Sequence, residues 1–349
     1  MRGRWAALGL VGAIAGCPSN PTPPAPPITT PIGPVPSPIT ATPIPQGVFG
    51  VDGVPNPTGL TVDGQGNVIL MNGASASGFV AGAAIRYDLN LNPQATASMG
   101  QSVGATTLGA SNSVWVVTLA QLKQLDASFN AGSNFKALPA ATAAIQPTAI
   151  AVDSQNRIWV ADQANGGIWR FTNLNPDFFV TIPVSTDSGQ VNPAGLAVST
   201  DSIWVSSRGD VHLYQRKLVD GSDAGSFILP APARGPVVMA PNNLLWVSHE
   251  FRNGTNALAK FSLTGQLLRD YDVNQDVPVA LAADSRGFVW AALRGISRVS
   301  RLTPADGSLL SYGSQWIVRP MAIAVDASGD AFVASPGASG SLARIPAAP

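Results

Sequence analysis

The chain has 349 residues, of which 45% are hydrophobic and 11% are charged, and its formal net charge at pH 7 is zero. So little charge produces no long-range field, which argues against nucleic-acid binding and against a membrane contact made through a basic patch. The single cysteine excludes an internal disulfide.

The first segment, residues 1–16, has the composition of a signal peptide. Arg2 and Arg4 form its basic start, and the apolar run Trp5–Ala15 is shorter than the roughly 20 residues that span a bilayer. The run leads into Ile14-Ala15-Gly16-Cys17, which resembles the lipobox of bacterial lipoproteins. The resemblance implies an acylated Cys17 that holds the chain on a membrane of the bacterial cell envelope, outside the cytoplasm, with inner and outer membrane left open. The alternative is an ordinary secretory signal followed by a free cysteine.

Residues 17–46 comprise this cysteine and a proline-rich stretch. Pro18–Gln46 contains 12 prolines in 29 residues and no charged residue. Because proline fixes φ and removes a backbone donor, we expect a disordered, extended polyproline-type tether rather than a loop packed on a domain. At roughly 3.1 Å per residue the tether would span about 90 Å.

Residues 47–349 form one domain built from a repeated phrase: a strand of small residues, an Asp/Gly turn, and a strand with an aromatic residue. The phrases begin at Pro57, Gly104, Pro147, Pro193, Pro236, Pro278 and Pro320. A spacing of 42 to 47 residues predicts an all-β, seven-bladed β-propeller in which each repeat is a four-stranded blade. A six-bladed propeller is the alternative if the phrase at Gly104 is not a true blade.

The second strand of each phrase carries a bulky residue at one equivalent position. These residues are Ile69, Trp115, Trp159, Trp204, Trp246, Trp290 and Phe332. Because five of the eight tryptophans share this position, we expect them to pack between blades rather than to form a stacking site for sugars or bases. The alanine-rich first strand is predicted to lie innermost, around a central channel, where bulk would clash.

Two further features concern the turns and the closure of the ring. The aspartates of the turns are expected to bond their own backbone, and they lack the dense oxygen ligands of a calcium loop. They are Asp63, Asp153, Asp284 and Asp326. Repeat seven ends early, with only Ser341–Ile345 for its third strand, so Gly47–Val51 is predicted to supply the fourth.

The phrase Pro-x-x-Ile/Leu-Ala-Val-Asp-x-x-Gly-x-Ile/Val-Trp-Val-Ala resembles that of NHL-repeat propellers, and it is similar to that of the streptogramin (virginiamycin B) lyase group within that class. The resemblance extends over residues 47–349 and implies a propeller, a fold that serves lyases, lactonases, scaffolds and ligand-binding domains. The lyase group carries histidines just after its repeat prolines. This chain has only His212 and His249, and neither follows a repeat proline. The sequence therefore favours a non-enzymatic module.

Topology predicts which residues share one face of the propeller. The segments that enter each phrase and the loops that leave each aromatic strand lie on one face, the top face, and the Asp turns lie on the bottom face. Candidate ligand-binding residues of the top face are Asp162, Asn192, Arg208, Arg234, Arg252, Arg294 and Arg319. Five arginines on consecutive blades predict a site for carboxylate or phosphate groups, held by bidentate guanidinium contacts. The alternative is that each arginine lies on a solvated loop or pairs with a nearby acid.

His249 and Glu250 form the one adjacent pair with catalytic chemistry and are the candidate catalytic residues; the alternative, which the sequence favours, is an ordinary surface histidine. A metal site needs a third and a fourth ligand, which no spacing supplies, so no metal site and no cofactor are predicted. We predict a membrane-anchored, extracytoplasmic propeller lipoprotein that binds a small anionic ligand or an envelope protein. The alternative is a lyase or lactone-type hydrolase of the streptogramin lyase-like class that uses Mg²⁺ or Ca²⁺.

Overall fold

The computed structural model describes residues 48–73, 82–100, 103–109, 113–118, 121–126, 128–130, 135–137, 146–172, 175–182, 192–252, 256–305, 307–337 and 340–347. Only the backbone is described for residues 135–137, 175, 177–178, 252 and 256. The predicted signal peptide, Cys17 and the tether lie outside the described residues. The described ranges form 28 strands in seven four-stranded sheets. The all-β class and the seven blades are therefore confirmed, and the six-bladed alternative is wrong.

The first three blades follow one another along the chain. Blade 1 contains β2 (Pro57–Val62), β3 (Val68–Asn72), β4 (Ala83–Tyr87) and β5 (Pro93–Ser98). Blade 2 contains β6 (Val103–Leu108), β7 (Val114–Thr118), β8 (Gln121–Leu125) and β9 (Phe135–Ala137). Blade 3 contains β10 (Pro147–Val152), β11 (Ile158–Asp162), β12 (Gly167–Thr172) and β13 (Asn175–Thr181).

The remaining blades continue this order, except that the last one borrows its outer strand. Blade 4 contains β14 (Pro193–Val198), β15 (Ser202–Ser207), β16 (His212–Lys217) and β17 (Asp223–Ile228). Blade 5 contains β18 (Ala233–Ala240), β19 (Leu244–Arg252), β20 (Asn256–Ser262) and β21 (Leu267–Asp272). Blade 6 contains β22 (Pro278–Ala283), β23 (Val289–Leu293), β24 (Arg298–Leu302) and β25 (Leu309–Tyr312). Blade 7 contains β26 (Ala322–Val325), β27 (Ala331–Ser335), β28 (Ser341–Ile345) and β1 (Phe49–Asp52).

The seventh blade is closed by the first strand of the domain. β1 pairs antiparallel with β28, with Phe49 opposite Arg344 and Asp52 opposite Ser341. Nη1 of Arg344 also reaches blade 1, where it donates to the carbonyl oxygen of Leu89 at 2.7 Å. The prediction that the start of the domain supplies the fourth strand is confirmed, with the bounds Phe49–Asp52 in place of Gly47–Val51. It covers the edge of β28, which would otherwise present unpaired backbone groups.

The hydrophobic core lies between neighbouring blades and is centred on the bulky residue of each second strand. Its buried rings at that position are Trp115, Trp159, Trp204, Trp246, Trp290 and Phe332. A cation on the third strand lies over several of these rings, 5.4 to 5.6 Å from the centroid, in the pairs Arg170–Trp159, Lys260–Trp246 and Arg301–Trp290. The tryptophans therefore pack as predicted, with cation–π contacts added. Their burial excludes a stacking site on these rings.

The Asp turns of the bottom face also agree with the prediction. In the turns that begin at Asp63, Asp153, Asp284 and Asp326, Oδ1 accepts hydrogen bonds from the backbone N–H groups two and four residues later, at 2.8 to 3.0 Å. The carboxylates thus hold the hairpins in place. Across the described ranges the chain forms no helix with the length and apolar character needed to cross a bilayer.

Candidate functional site

A central cavity of about 810 Å³ opens at the top face. All seven first strands, β2, β6, β10, β14, β18, β22 and β26, contribute to its wall. Residues of the top loops complete its mouth. The alanine-rich strands are therefore innermost, as predicted.

The wall contributed by blades 1 to 3 is uncharged. Its threonine hydroxyl groups donate to backbone carbonyl oxygens: Thr58 to Met71, Thr106 to Trp115 and Thr148 to Pro193, at 3.4, 3.0 and 2.6 Å. These donors are already used within the fold. Blades 1 to 3 therefore add small side chains and bonded hydroxyl groups to the cavity.

Blades 4 to 6 place the charged side chains on the other half of the mouth. They are Arg208, Arg234, Arg294 and Asp276. Three arginines less one aspartate give the charged lining of the cavity a net charge of +2. Since the whole chain has a net charge of zero, this concentration of positive charge is local.

Backbone hydrogen bonds fix the loops that carry two of these arginines. Arg208 directly follows β15, and its N–H donates to the carbonyl oxygen of Asn192 at 2.9 Å. Arg294 directly follows β23, and the next two N–H groups donate to Oδ2 of Asp276 at 2.7 and 3.1 Å. Asp276 is therefore engaged in shaping the loop, and both arginines are held on defined backbone.

Arg234 reaches the cavity from an irregular stretch of β18. The pairing of β18 with β19 shifts register between Ala233 and Val237. Within that stretch Gly235 has a φ of 132°, which side-chain-bearing residues rarely adopt. With this bulge, β18 begins at Ala233, three residues before Pro236, where the repeat phrase starts.

The three arginines differ in their partners. Nη1 of Arg234 lies 3.5 Å from Oε1 of Glu250, and both side chains are about half exposed, a geometry worth at most about 1 kcal/mol. In the described part of the chain neither Arg208 nor Arg294 has an ion-pair partner. Nε of Arg294 is buried with no acceptor within hydrogen-bonding distance. Two guanidinium groups at the mouth are thus available to a ligand.

Three of the other predicted binding residues, Arg319, Asn192 and Asp162, lie outside the cavity lining. Arg319 is exposed on a top loop and does not line the cavity. Asn192 contributes its backbone to the Arg208 loop, and its side chain also lies outside the lining. The Arg252 side chain lies outside the described part of the chain.

Asp162, another predicted binding residue, is fully buried and does not line the cavity. Its carboxylate accepts hydrogen bonds from the backbone N–H of Gln146 at 3.1 Å, the side-chain amide of Asn165 at 2.6 Å and Nε1 of Trp169 at 3.0 Å. These bonds tie the top loop of blade 3 together. Asp162 therefore acts within the loop.

The structure places His249, the candidate catalytic histidine, neither at the mouth nor on the surface. The imidazole is fully buried inside blade 5. Its Nε2 lies 2.9 Å from Oδ1 of the buried Asp270, and its Nδ1 donates to the backbone carbonyl oxygen of Glu250 at 2.6 Å. The ring thus fixes the backbone of Glu250. Sequence reasoning lacked the signal because Asp270 is 21 residues away, on another strand of the blade.

The second histidine, His212, is also engaged away from the cavity. Its Nδ1 lies 2.9 Å from Oδ1 of Asp210, whose Oδ2 accepts from the Tyr214 hydroxyl group at 2.5 Å. Neither histidine lines the cavity, so the pair of imidazoles implied by the lyase resemblance is not assembled there. In the described ranges no group of three or more His, Cys, Asp or Glu side chains is arranged to hold a metal ion.

Two exposed apolar residues of the mouth were missed by sequence reasoning, which considered charged and amide side chains. Phe251 on β19 and Val279 on β22 both line the cavity, with 43% and 38% of their surface exposed. The cavity at the bottom face, of about 580 Å³, contrasts with this one. Its described lining is mostly Ser, Thr, Asn and small apolar residues, with neither an arginine nor an aromatic ring. The two ends of the channel therefore have different chemistry.

These features define the class of the protein: a seven-bladed β-propeller with a cationic mouth on one face. Its fold is that of the streptogramin B lyase propellers. A catalytically inactive variant of virginiamycin B lyase from Staphylococcus aureus, with quinupristin, matches with a TM-score of 0.70 and 15% identity over 86% of this chain and 99% of that chain. A streptogramin B lyase structure matches with a TM-score of 0.70 and 15% identity over 85% and 97%.

A chain of hydrazine synthase from Kuenenia stuttgartiensis has a similar fold, with a TM-score of 0.68 and 14% identity over 87% of this chain and 99% of that chain. None of the protein-family models matches the sequence. No curated protein matches it either. At these identities the likeness extends to the fold alone.

Proposed function

We propose that this protein is an extracytoplasmic lipoprotein, anchored through acylated Cys17, whose propeller binds a small organic anion at the top mouth. The observation that carries the proposal is the convergence of Arg208, Arg234 and Arg294 on one cavity, two of them without an acidic partner among the described residues. Guanidinium groups bind carboxylate and phosphate oxygens through paired hydrogen bonds. The cavity volume, about 810 Å³, suits a small molecule.

The enzymatic alternative has less support in the described residues. A lyase fold at 15% identity carries no activity by itself. The only two histidines of the chain are bonded to Asp270 and to Asp210, away from the cavity. We therefore propose that the protein binds a small anion. A scaffold that binds a protein partner is the alternative that the experiment below tests.

The test is calorimetric titration of the full chain with inorganic phosphate and with succinate. We expect Arg208→Gln and Arg294→Gln each to weaken binding about tenfold or more, because each removes a charge-assisted hydrogen bond. The matched control is Arg286→Gln, an arginine of a bottom-face turn, which should leave affinity unchanged. If neither anion binds, the proposal is overturned and a scaffold is favoured. Equal losses in all three variants would also overturn it, because the effect would not be specific to the mouth.

A further inference from the structure

We propose that the anion bound at the top mouth carries a flat apolar group, which is seated on Phe251 and Val279 while its acidic group meets Arg208 and Arg294. This inference rests on the proposed anion-binding function and specifies the class of ligand. An aryl or similarly planar carboxylate or phosphate has the required chemistry. A purely hydrophilic anion does not.

The first argument is the placement of apolar surface beside unpaired cations. Phe251 and Val279 line the same cavity as the arginines, and a substantial part of each side chain is exposed. A phenyl ring exposed to water is less stable than a buried one. A planar ligand that stacks on the ring would bury it and gain that free energy. All four side chains come from blades 4 to 6, so a single small molecule can contact both kinds of group.

The second argument is that the backbone carrying Phe251 is held rigidly. The preceding residue, Glu250, donates its N–H to the carbonyl oxygen of Pro232 at 2.7 Å. Its own carbonyl oxygen accepts from Nδ1 of His249 at 2.6 Å, and that ring is anchored in turn by Asp270 at 2.9 Å. A phenylalanine side chain has only two rotatable bonds, so ordering it on such a backbone costs little conformational entropy, which favours its use as an anchor.

The third argument is the contrast with other exposed apolar residues of the propeller. Leu268 and Leu310 are exposed to a similar degree, 44% and 40%, but lie on the outer strands β21 and β25 with no part in the cavity. Phe251 and Val279 instead combine exposure with a concave, cationic surrounding. Such a combination is typical of small-molecule sites.

The experiment compares phenyl phosphate with inorganic phosphate by calorimetric titration of the full chain. We expect phenyl phosphate to bind about tenfold more tightly, a ratio that stacking and burial of one ring can supply. Phe251→Ala should reduce the ratio to about one by weakening the binding of phenyl phosphate. Leu268→Ala, the matched control in the same blade, should change neither value. Ring protons of the bound ligand should also show contacts to the Phe251 ring in an NMR experiment on the unmodified chain.

The outcomes separate this inference from the function on which it rests. If phosphate and phenyl phosphate bind equally well, the mouth is an anion site, but the proposed apolar contact of the ligand with Phe251 and Val279 is disproved. The apolar contact is also disproved if Phe251→Ala still binds phenyl phosphate more tightly than phosphate, or if ligand ring protons show no contact to Phe251. If neither compound binds, the proposed anion-binding function fails, and this inference with it.

Discussion

The buried tryptophans share one position in the repeat but differ in what their indole nitrogens meet. Nε1 of Trp159 donates to Oδ2 of Asp153 at 3.0 Å. The described residues place no acceptor within hydrogen-bonding distance of Nε1 of Trp290. In that blade Oδ2 of the equivalent aspartate, Asp284, is bonded by the Arg286 guanidinium at 3.2 Å. The same packing position thus carries a hydrogen bond to a carboxylate in blade 3 and not in blade 6.

This difference predicts unequal costs for one substitution. Trp159→Phe should lower the free energy of unfolding by about 1.5 kcal/mol more than Trp290→Phe, because only the former breaks a hydrogen bond to a charged group. The loss of ring volume is common to both variants and cancels in the comparison. Urea unfolding of the two variants measures the difference. Equal destabilisation would show that the indole–carboxylate bond contributes nothing net.

At the level of structural elements, long cationic side chains on third strands connect three pairs of neighbouring blades. Arg170 donates to the carbonyl oxygen of Val219, Lys260 to that of Pro304 and Arg344 to that of Leu89, at 2.9, 3.0 and 2.7 Å. These bonds join blade 3 to 4, blade 5 to 6 and blade 7 to 1. Each acceptor lies in the turn before an outer strand. The repeat phrase did not reveal them, because the partners are 44 to 255 residues apart.

The packing of β1, the strand that closes the ring, can be tested by adding one methyl group to it. A Cβ at Gly50 on β1 would lie 2.7 Å from Cγ of Trp316 and 2.9 Å from the carbonyl oxygen of Leu342. Gly50→Ala should therefore lower the free energy of unfolding by about 1 to 3 kcal/mol, because a rigid ring and a backbone atom must move. Hydrogen exchange in Ser341–Ile345 should also become faster.

The control for this prediction is another glycine of blade 7. A Cβ at Gly337 meets no atom closer than 3.6 Å, so Gly337→Ala should change the free energy of unfolding by less than about 0.5 kcal/mol. If Gly50→Ala is as stable as Gly337→Ala, β1 is not packed as tightly against blade 7 as the contacts indicate. Urea unfolding and exchange mass spectrometry check both variants.

The whole molecule departs from its own seven-fold repetition at the top face. Seven similar phrases build a near-symmetric ring, yet three arginines and one exposed phenyl ring occupy only the half of the mouth contributed by blades 4 to 6. Repetition is sufficient for the scaffold, since each blade needs only its neighbours. Residues that break the repetition are not required by the scaffold, which is why they support a binding role.

The proposed membrane anchoring concerns the whole chain and has its own prediction. When the full chain is produced in a bacterium with radiolabelled palmitate, the protein should carry label and sediment with membranes. Cys17→Ser should lose both properties, because it removes the only thiol of the chain. Ser19→Ala, two residues further on, should lose neither. Unlabelled wild-type protein, or label that persists in Cys17→Ser, would contradict the lipoprotein proposal.

Part of the candidate site followed from the sequence. Arg208, Arg234 and Arg294 were predicted to share the top face, and they line one cavity. Arg319 belongs to the same pattern but lies outside the cavity. The position of a residue within the repeat specifies the face of the propeller on which it lies, but it does not specify the distance of its side chain from the central axis. That distance depends on local irregularities such as the bulge around Gly235.

The sequence by itself determined the all-β blade repeat, the Asp turns and the closure of the ring, and the structure decided between six and seven blades. These features rest on short-range rules: alternation along strands, backbone bonding by an aspartate two and four residues ahead, and a repeat length that must accommodate four strands. Only the tertiary structure decided that His249 and Asp162 are buried and that Phe251 is exposed at the mouth. Burial depends on which distant strands and loops pack around a side chain. A phrase read along the chain does not contain that information.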